Sequence, residues 1–204
     1  MEVKNMETKK MKVRITYTEE VLGGANANPE IHSEFIASKA PDAESMTEEI
    51  EAIGVEEVER KSVTVFPRDK DGQPMFWDYQ IKGFFKDVCG LLRRVPGTHA
   101  SKLKAYKKIL DGLLFVHGRR IRLNYDGEIS LCQRPLRAQT MQGERIALAS
   151  SEALPAGTWF ECEIEMLDPS LEGFVREALD YGKLFGISQW RSSGKGRFEW
   201  EEIK

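Results

Sequence analysis

Hydrophobic and polar positions along this chain fall into stretches of two distinct periods. Across residues 11–18, Val13, Ile15 and Tyr17 alternate with Lys12, Arg14 and Thr16, the period of two of a half-buried strand. The clearest strand lies far downstream, where Phe160, Cys162, Ile164 and Met166 alternate with Glu161, Glu163 and Glu165. Between them, residues 79–94 change to helical spacing: Ile81, Phe84, Phe85, Val88, Leu91 and Leu92 make one apolar stripe, with Lys82, Lys86, Arg93 and Arg94 off it. Asp78 is the expected N-cap, and Val95-Pro96-Gly97 stops the helix. A second helix is expected over 101–110, ended by Asp111-Gly112. A third follows Asp168 as cap and Pro169 at its first position, burying Leu171, Phe174, Val175, Ala178 and Leu179.

Shorter signals fill the gaps. Residues 62–66 and 129–132 read as short strands, and 113–116 with 119–124 as a hairpin around His117-Gly118. Phe198 and Trp200 alternate with Glu199 and Glu201 in a last strand. Leu22-Gly23-Gly24 and Asp71-Gly72 are turn signals. Residues 28–58 are helical and acidic in pattern and read as an insertion of about 28–60. The order predicts an α+β fold: a ferredoxin-like (RRM-like) antiparallel sheet with helices on one face, plus the acidic helical insertion. A single domain is expected over 11–204, preceded by a flexible tail at 1–10.

Composition narrows the function classes. With 41% hydrophobic and 31% charged residues the chain is of ordinary globular type. No apolar run approaches the ~20 residues of a membrane span, and the charged start is unlike a signal peptide, so a cytoplasmic protein without membrane partners is expected. Cys89, Cys132 and Cys162 stand singly in apolar patterns, as buried free thiols would. No cofactor or metal is expected.

The net charge of −3 conceals a strong polarity. Residues 42–59 hold eight acids and no Lys or Arg, whereas 81–122 hold eleven basic residues against Asp87 and Asp111. A second basic cluster lies near the C-terminus, where Arg191, Ser193, Gly194, Lys195, Gly196 and Arg197 follow Trp190. Glycines let bare N–H groups and cations approach a phosphate. The expected phosphate or nucleic-acid site therefore comprises that loop, Gly23 and Gly24, the helix cations Lys82, Lys86, Arg93 and Arg94, then Lys104 and Lys107, with Trp190, Trp77 or Phe76 as stacking faces.

Several of these stretches, in order, resemble landmarks of the RAMP superfamily, ferredoxin-like proteins that form the RNA-binding backbone of CRISPR effector complexes. The first strand and Leu22-Gly23-Gly24 are similar to its opening strand and glycine turn. Arg68-Asp69-Lys-Asp-Gly72-Gln-Pro74 with Tyr79-Gln-Ile-Lys82-Gly83 resembles its R-D-x-x-G-x-P and S-L-K-G passage. Glu152-Ala-Leu-Pro155-Ala-Gly157-Thr158-Trp-Phe160 resembles its E-x-x-P-x-G-T-x-F strand entry, and 186–198 its terminal glycine-rich loop. The resemblance implies RNA binding and side-by-side self-association. It departs from the RNA-cleaving members at 61–66, where they carry an aspartate, and at Tyr79-Gln80, which replaces the motif's serine.

The expected function is non-catalytic binding of RNA or a small nucleotide, as a homo-oligomer or within a CRISPR-like complex. A second reading is a phage-encoded anti-defence protein that sequesters a nucleotide signal or interferes with CRISPR assembly. A third is an endoribonuclease using His32, His99 or His117, disfavoured because the three are scattered through loops.

Overall fold

The computed structural model describes residues 7–26, 63–140 and 143–204; the acidic segment, His32 and the proposed insertion fall outside them. Strand β1 spans Lys9–Tyr17 and buries Met11, Val13, Ile15 and Tyr17, as its alternation requires. It lies in the middle of a four-stranded antiparallel sheet. On one side it pairs with β10 (Trp159–Met166), which continues to β6 (Leu114–His117), and on the other with β11 (Phe198–Glu202).

Helix α1 (Asp78–Leu92) and helix α4 (Glu172–Asp180) cover the apolar face of this sheet. Phe85 of α1 packs edge-on against Phe174 of α4, and Phe84 against Phe198 of β11. Taken as β1, α1, β6, β10, α4 and β11, with sheet order β11-β1-β10-β6, this is the ferredoxin-like arrangement. Each fully buried Phe contributes on the order of 2 kcal/mol through the area it removes from water. The outer face carries an ion-pair ladder instead: Arg14 bonds Glu161 at 2.6 Å, Lys10 bonds Glu163 at 2.9 Å and His117 bonds Glu165 at 2.6 Å.

A second sheet carries β2 (Val21–Leu22), β3 (Ala25–Asn26), β4 (Thr64–Val65), β8 (Ser130–Thr140) and β9 (Gly143–Leu154); a two-stranded ribbon pairs β5 (Met75–Trp77) with β7 (Arg120–Arg122). Strands β8 and β9 stay in register from Ser130↔Ala153 to Thr140↔Gly143, a hairpin far longer than the strand expected at 129–132.

Four further expectations are corrected. The hairpin around His117-Gly118 does not form: Gly118 turns the chain with φ of 91°, but β6 joins β10 while β7 joins β5. The helix expected over 101–110 is two, α2 (His99–Lys102) and α3 (Tyr106–Leu113), separated where Ala105 takes a left-handed conformation. Leu91 is exposed and Cys89 takes its place in the buried stripe of α1. Asp78 does not cap α1. The Gln80 amide oxygen instead accepts the N–H of Trp77 at 2.8 Å, while Asp78 pairs with Arg119 at 2.6 Å. All three cysteines are free; burial pushes the thiols of Cys89 and Cys162 up to about 11 and 12, whereas Cys132 is half-buried. The cap at Asp168 forms as expected, its carboxylate accepting from the Ser170 N–H at 2.9 Å.

Candidate nucleic-acid interface

Three stretches distant in sequence meet in one cleft. Gly24 contributes from the turn after β2, Gln80, Gly83, Phe84 and Asp87 from one face of α1, and Ile187, Ser188, Gln189 and Arg191 from the C-terminal loop. The helix residues stand at i, i+3, i+4 and i+7, the spacing that puts side chains on a single face. The cleft holds about 250 Å³ and runs along α1 from Gln80 to Asp87.

The loop is held by its glycines more than it offers them. A side chain at Gly186 would place its Cβ 2.1 Å from the backbone carbon of Gly196, and one at Gly196 would lie 2.1 Å from the Ile187 carbonyl oxygen. The two chain segments cross where only glycine fits, and Gly194 and Gly196 have φ of 87° and 70°. The Gly196 N–H donates to the Glu20 carbonyl at 2.8 Å, and the Ser188 hydroxyl donates to the Leu22 carbonyl. Gly23 has the same role, since a Cβ there would stand 2.4 Å from the backbone of Val65. At Gly83, in contrast, a Cβ would meet nothing within 4 Å, and at Gly24 nothing nearer than 3.5 Å. These two glycines leave space in the cleft.

The loop cations are already engaged. Arg191 donates to Asp87 at 2.7 Å and lies over the Phe185 ring at 4.4 Å. Lys195 donates to Glu20 at 2.6 Å, and that bond, more than any other cause, raises its pKa. The guanidinium of Arg197 lies over Gly194, with Nε buried and unpartnered among the described residues. Trp190 lies under Arg134, 4.9 Å from its guanidinium, and Arg134 also donates to Gln189 at 3.1 Å. Phe76 borders the cleft from beneath but has no exposed surface, so it offers no stacking face. Ser193 is exposed beside them.

The helix cations do not join this cleft. Lys82 donates to the Asp111 carbonyl at 2.8 Å, Lys86 pairs with the Asp111 carboxylate, and Arg93 lies 5.4 Å over the Tyr106 ring. All three point to α3, on the flank of α1 away from the C-terminal loop. The single groove expected from the basic block and the loop is therefore two surfaces with α1 between them. Desolvation lowers the pKa of Lys82, and the bond from Lys86 lowers that of Asp111. Arg94, Lys104 and Lys107 are exposed. Sequence reasoning missed Gln80, Ser188 and Gln189 as lining residues, because neutral side chains give no charge signal.

The two histidines among the described residues lie on separate elements. His99 packs against Gly173 in α4, and His117 on β6 bonds Glu165. The resembling motif passages, in contrast, do meet. Arg68 donates to Glu152 at 2.5 Å, whose second oxygen accepts the Phe66 N–H at 2.9 Å and whose carbonyl accepts the Gly23 N–H at 2.8 Å.

No family model and no curated protein matches the chain. Among solved structures, a chain in a cryo-EM structure of the Type III-B Cmr-beta bound to cognate target RNA superposes with a TM-score of 0.54 at 13% identity. The likeness is one of fold. It covers 99% of this chain, which spans 63% of the length of that one. Among the described residues no helix is long and apolar enough to cross a membrane.

Proposed function

We propose that this protein binds RNA without cleaving it, as a backbone-type component of a CRISPR-like assembly, and that the cleft along α1 receives the phosphate backbone. The observation that carries the reading is the meeting of Gly24, the Gln80–Gly83 turn of α1 and the C-terminal loop in one concavity. The shared fold with a chain of an RNA-bound Cmr-beta structure supports it. The cleft offers amides from Gln80 and Gln189, the Arg191 guanidinium and open glycine surface at Gly24 and Gly83. These recognise a phosphodiester through hydrogen bonds and one cation, without reading sequence.

Exposed Lys104, Lys107 and Arg94 add a diffuse positive field that draws the polyanion in. The protein is taken to self-associate along its RNA, as backbone subunits do. A fluorescein-labelled 12-nucleotide oligouridylate titrated with the protein at several salt concentrations tests the reading. Binding that weakens with salt supports it, and absence of binding at 50 mM salt contradicts it.

A further inference from the structure

An exposed aromatic cluster lies just outside the cleft. Trp77 ends β5 and Tyr79 stands in the first turn of α1. Their rings are within 12° of parallel, with centroids 6.5 Å apart. The Arg119 guanidinium lies over both rings, 5.2 Å from the indole centre and 5.5 Å from the phenol centre, and that of Arg120, the cross-strand partner of Trp77, lies over the indole at 5.6 Å. Tyr79 is 52% exposed, and the Arg119 side chain 66%. Beside them Lys82 lies 4.7 Å over the Phe115 ring, itself 38% exposed.

The apolar surface here does not serve the core, which Phe76 and Ile81 enter from either side of the cluster. Its charge is predominantly positive. Asp78 faces Arg119, Lys82 donates to the Asp111 carbonyl while the Asp111 carboxylate pairs with Lys86, and Arg120 and Arg122, on one exposed face of β7, have no salt bridge among the described residues. Exposed aromatic rings layered with guanidinium planes present flat, positively charged surfaces that match a planar base joined to a phosphate. An acidic peptide would satisfy the cations and leave the ring faces unused.

We propose that Trp77 and Tyr79, together with the Arg119 and Arg120 guanidinium planes that lie over them, form a stacking platform for an unpaired base of single-stranded RNA. The proposal rests on the RNA-binding reading above and adds a base contact to a site otherwise limited to phosphates. Tyr79 and Gln80 are consecutive, so a strand leaving the cleft around the N-terminal turn of α1 reaches the platform directly. The platform favours no base by hydrogen bonding, since rings and guanidinium groups offer stacking and charge only.

The test compares two fluorescein-labelled 12-mers by anisotropy: oligouridylate, and an abasic tetrahydrofuran phosphodiester with the same charges and no bases. The wild-type protein is expected to bind oligouridylate about tenfold or more tightly than the abasic chain. Tyr79→Ala should weaken oligouridylate roughly 5- to 150-fold, the range for losing one stacked base, and leave the abasic chain unchanged. Tyr79→Phe should retain the affinity, and Arg119→Ala with Arg120→Ala should weaken both oligomers. Equal binding of the two oligomers, or unchanged oligouridylate affinity in Tyr79→Ala, overturns the platform. If Gly83→Glu nevertheless releases both oligomers, the phosphate cleft stands and only the platform falls; if neither oligomer binds the wild type, both fall. A change of oligomeric state in Tyr79→Ala with unchanged RNA affinity overturns the platform and assigns the patch to a contact between copies.

Discussion

Arg191 and Asp87 meet at 2.7 Å across the cleft, so the Arg191 cation of its lining is neutralised by a carboxylate from the facing helix. An entering phosphate must compete with Asp87 for the guanidinium. Asp87 is half-exposed, so its replacement should not disturb the fold. Asp87→Asn is expected to tighten oligouridylate binding several-fold and to steepen its salt dependence by about one ion. Arg191→Ala is expected to weaken it. Anisotropy titrations at 50 and 200 mM salt measure both.

Glu152 accepts from Arg68 and from the Phe66 N–H while its carbonyl anchors Gly23, so one residue joins three separate passages. Removing its carboxylate strands a partly buried guanidinium and a backbone N–H. Glu152→Ala should cost about 2 kcal/mol, from the penalty for leaving such donors unpaired. For a chain of this size that lowers Tm by roughly 4–8 °C in a thermal melt.

The glycines of the site divide by what a Cβ would meet. Gly196→Ala drives a methyl into the Ile187 carbonyl at a positive φ and should disorder the loop, lowering both Tm and RNA affinity. Gly83→Ala adds a methyl in open space within a helix and should stabilise the protein by up to about 1 kcal/mol. Opposite signs in two melts distinguish scaffold glycine from cleft glycine.

Acid should weaken the fold through the sheet's outer face. The bond from Arg14 holds the Glu161 carboxyl below its ordinary range, and the bond from His117 does the same for Glu165. A carboxyl with a folded pKa below its unfolded value binds more protons when unfolded, so stability rises with pH through that interval. The contribution is complete above the unfolded carboxylate pKa, near 4, and is lost as pH falls through the lower folded values. Denaturant midpoints should fall below about pH 4, and Glu161→Gln should make that fall shallower.

Where one face of an element repeats, the sequence was informative. The alternation of Val13, Ile15 and Tyr17 and of Phe160 to Met166 placed two sheet strands, and the stripe from Ile81 to Leu92 placed α1, because burial imposes those periods. The β8–β9 hairpin was not legible, since Arg134, Pro135 and Ser150 break any alternation, and its register is held by strand pairing and by cross-strand bonds such as Arg134 to the Ser151 hydroxyl at 3.1 Å, which no local pattern reports. Nor was the division of the cations: Asp87 and Glu20 are 104 and 175 residues from the groups they bind, and no local pattern reports such pairs. The three cleft-lining stretches could be named one by one, but their meeting required the fold.

The most direct measurement is the affinity of Gly83→Glu for labelled oligouridylate, set beside Gly83→Ala and the wild type. A Cβ at Gly83 meets nothing within 4 Å, so the glutamate adds a negative charge to the cleft wall with no clash at its point of attachment. If phosphates lie along α1, Gly83→Ala binds as the wild type does and Gly83→Glu loses at least tenfold in affinity with its Tm retained. Equal binding by all three proteins would contradict an RNA site in this cleft.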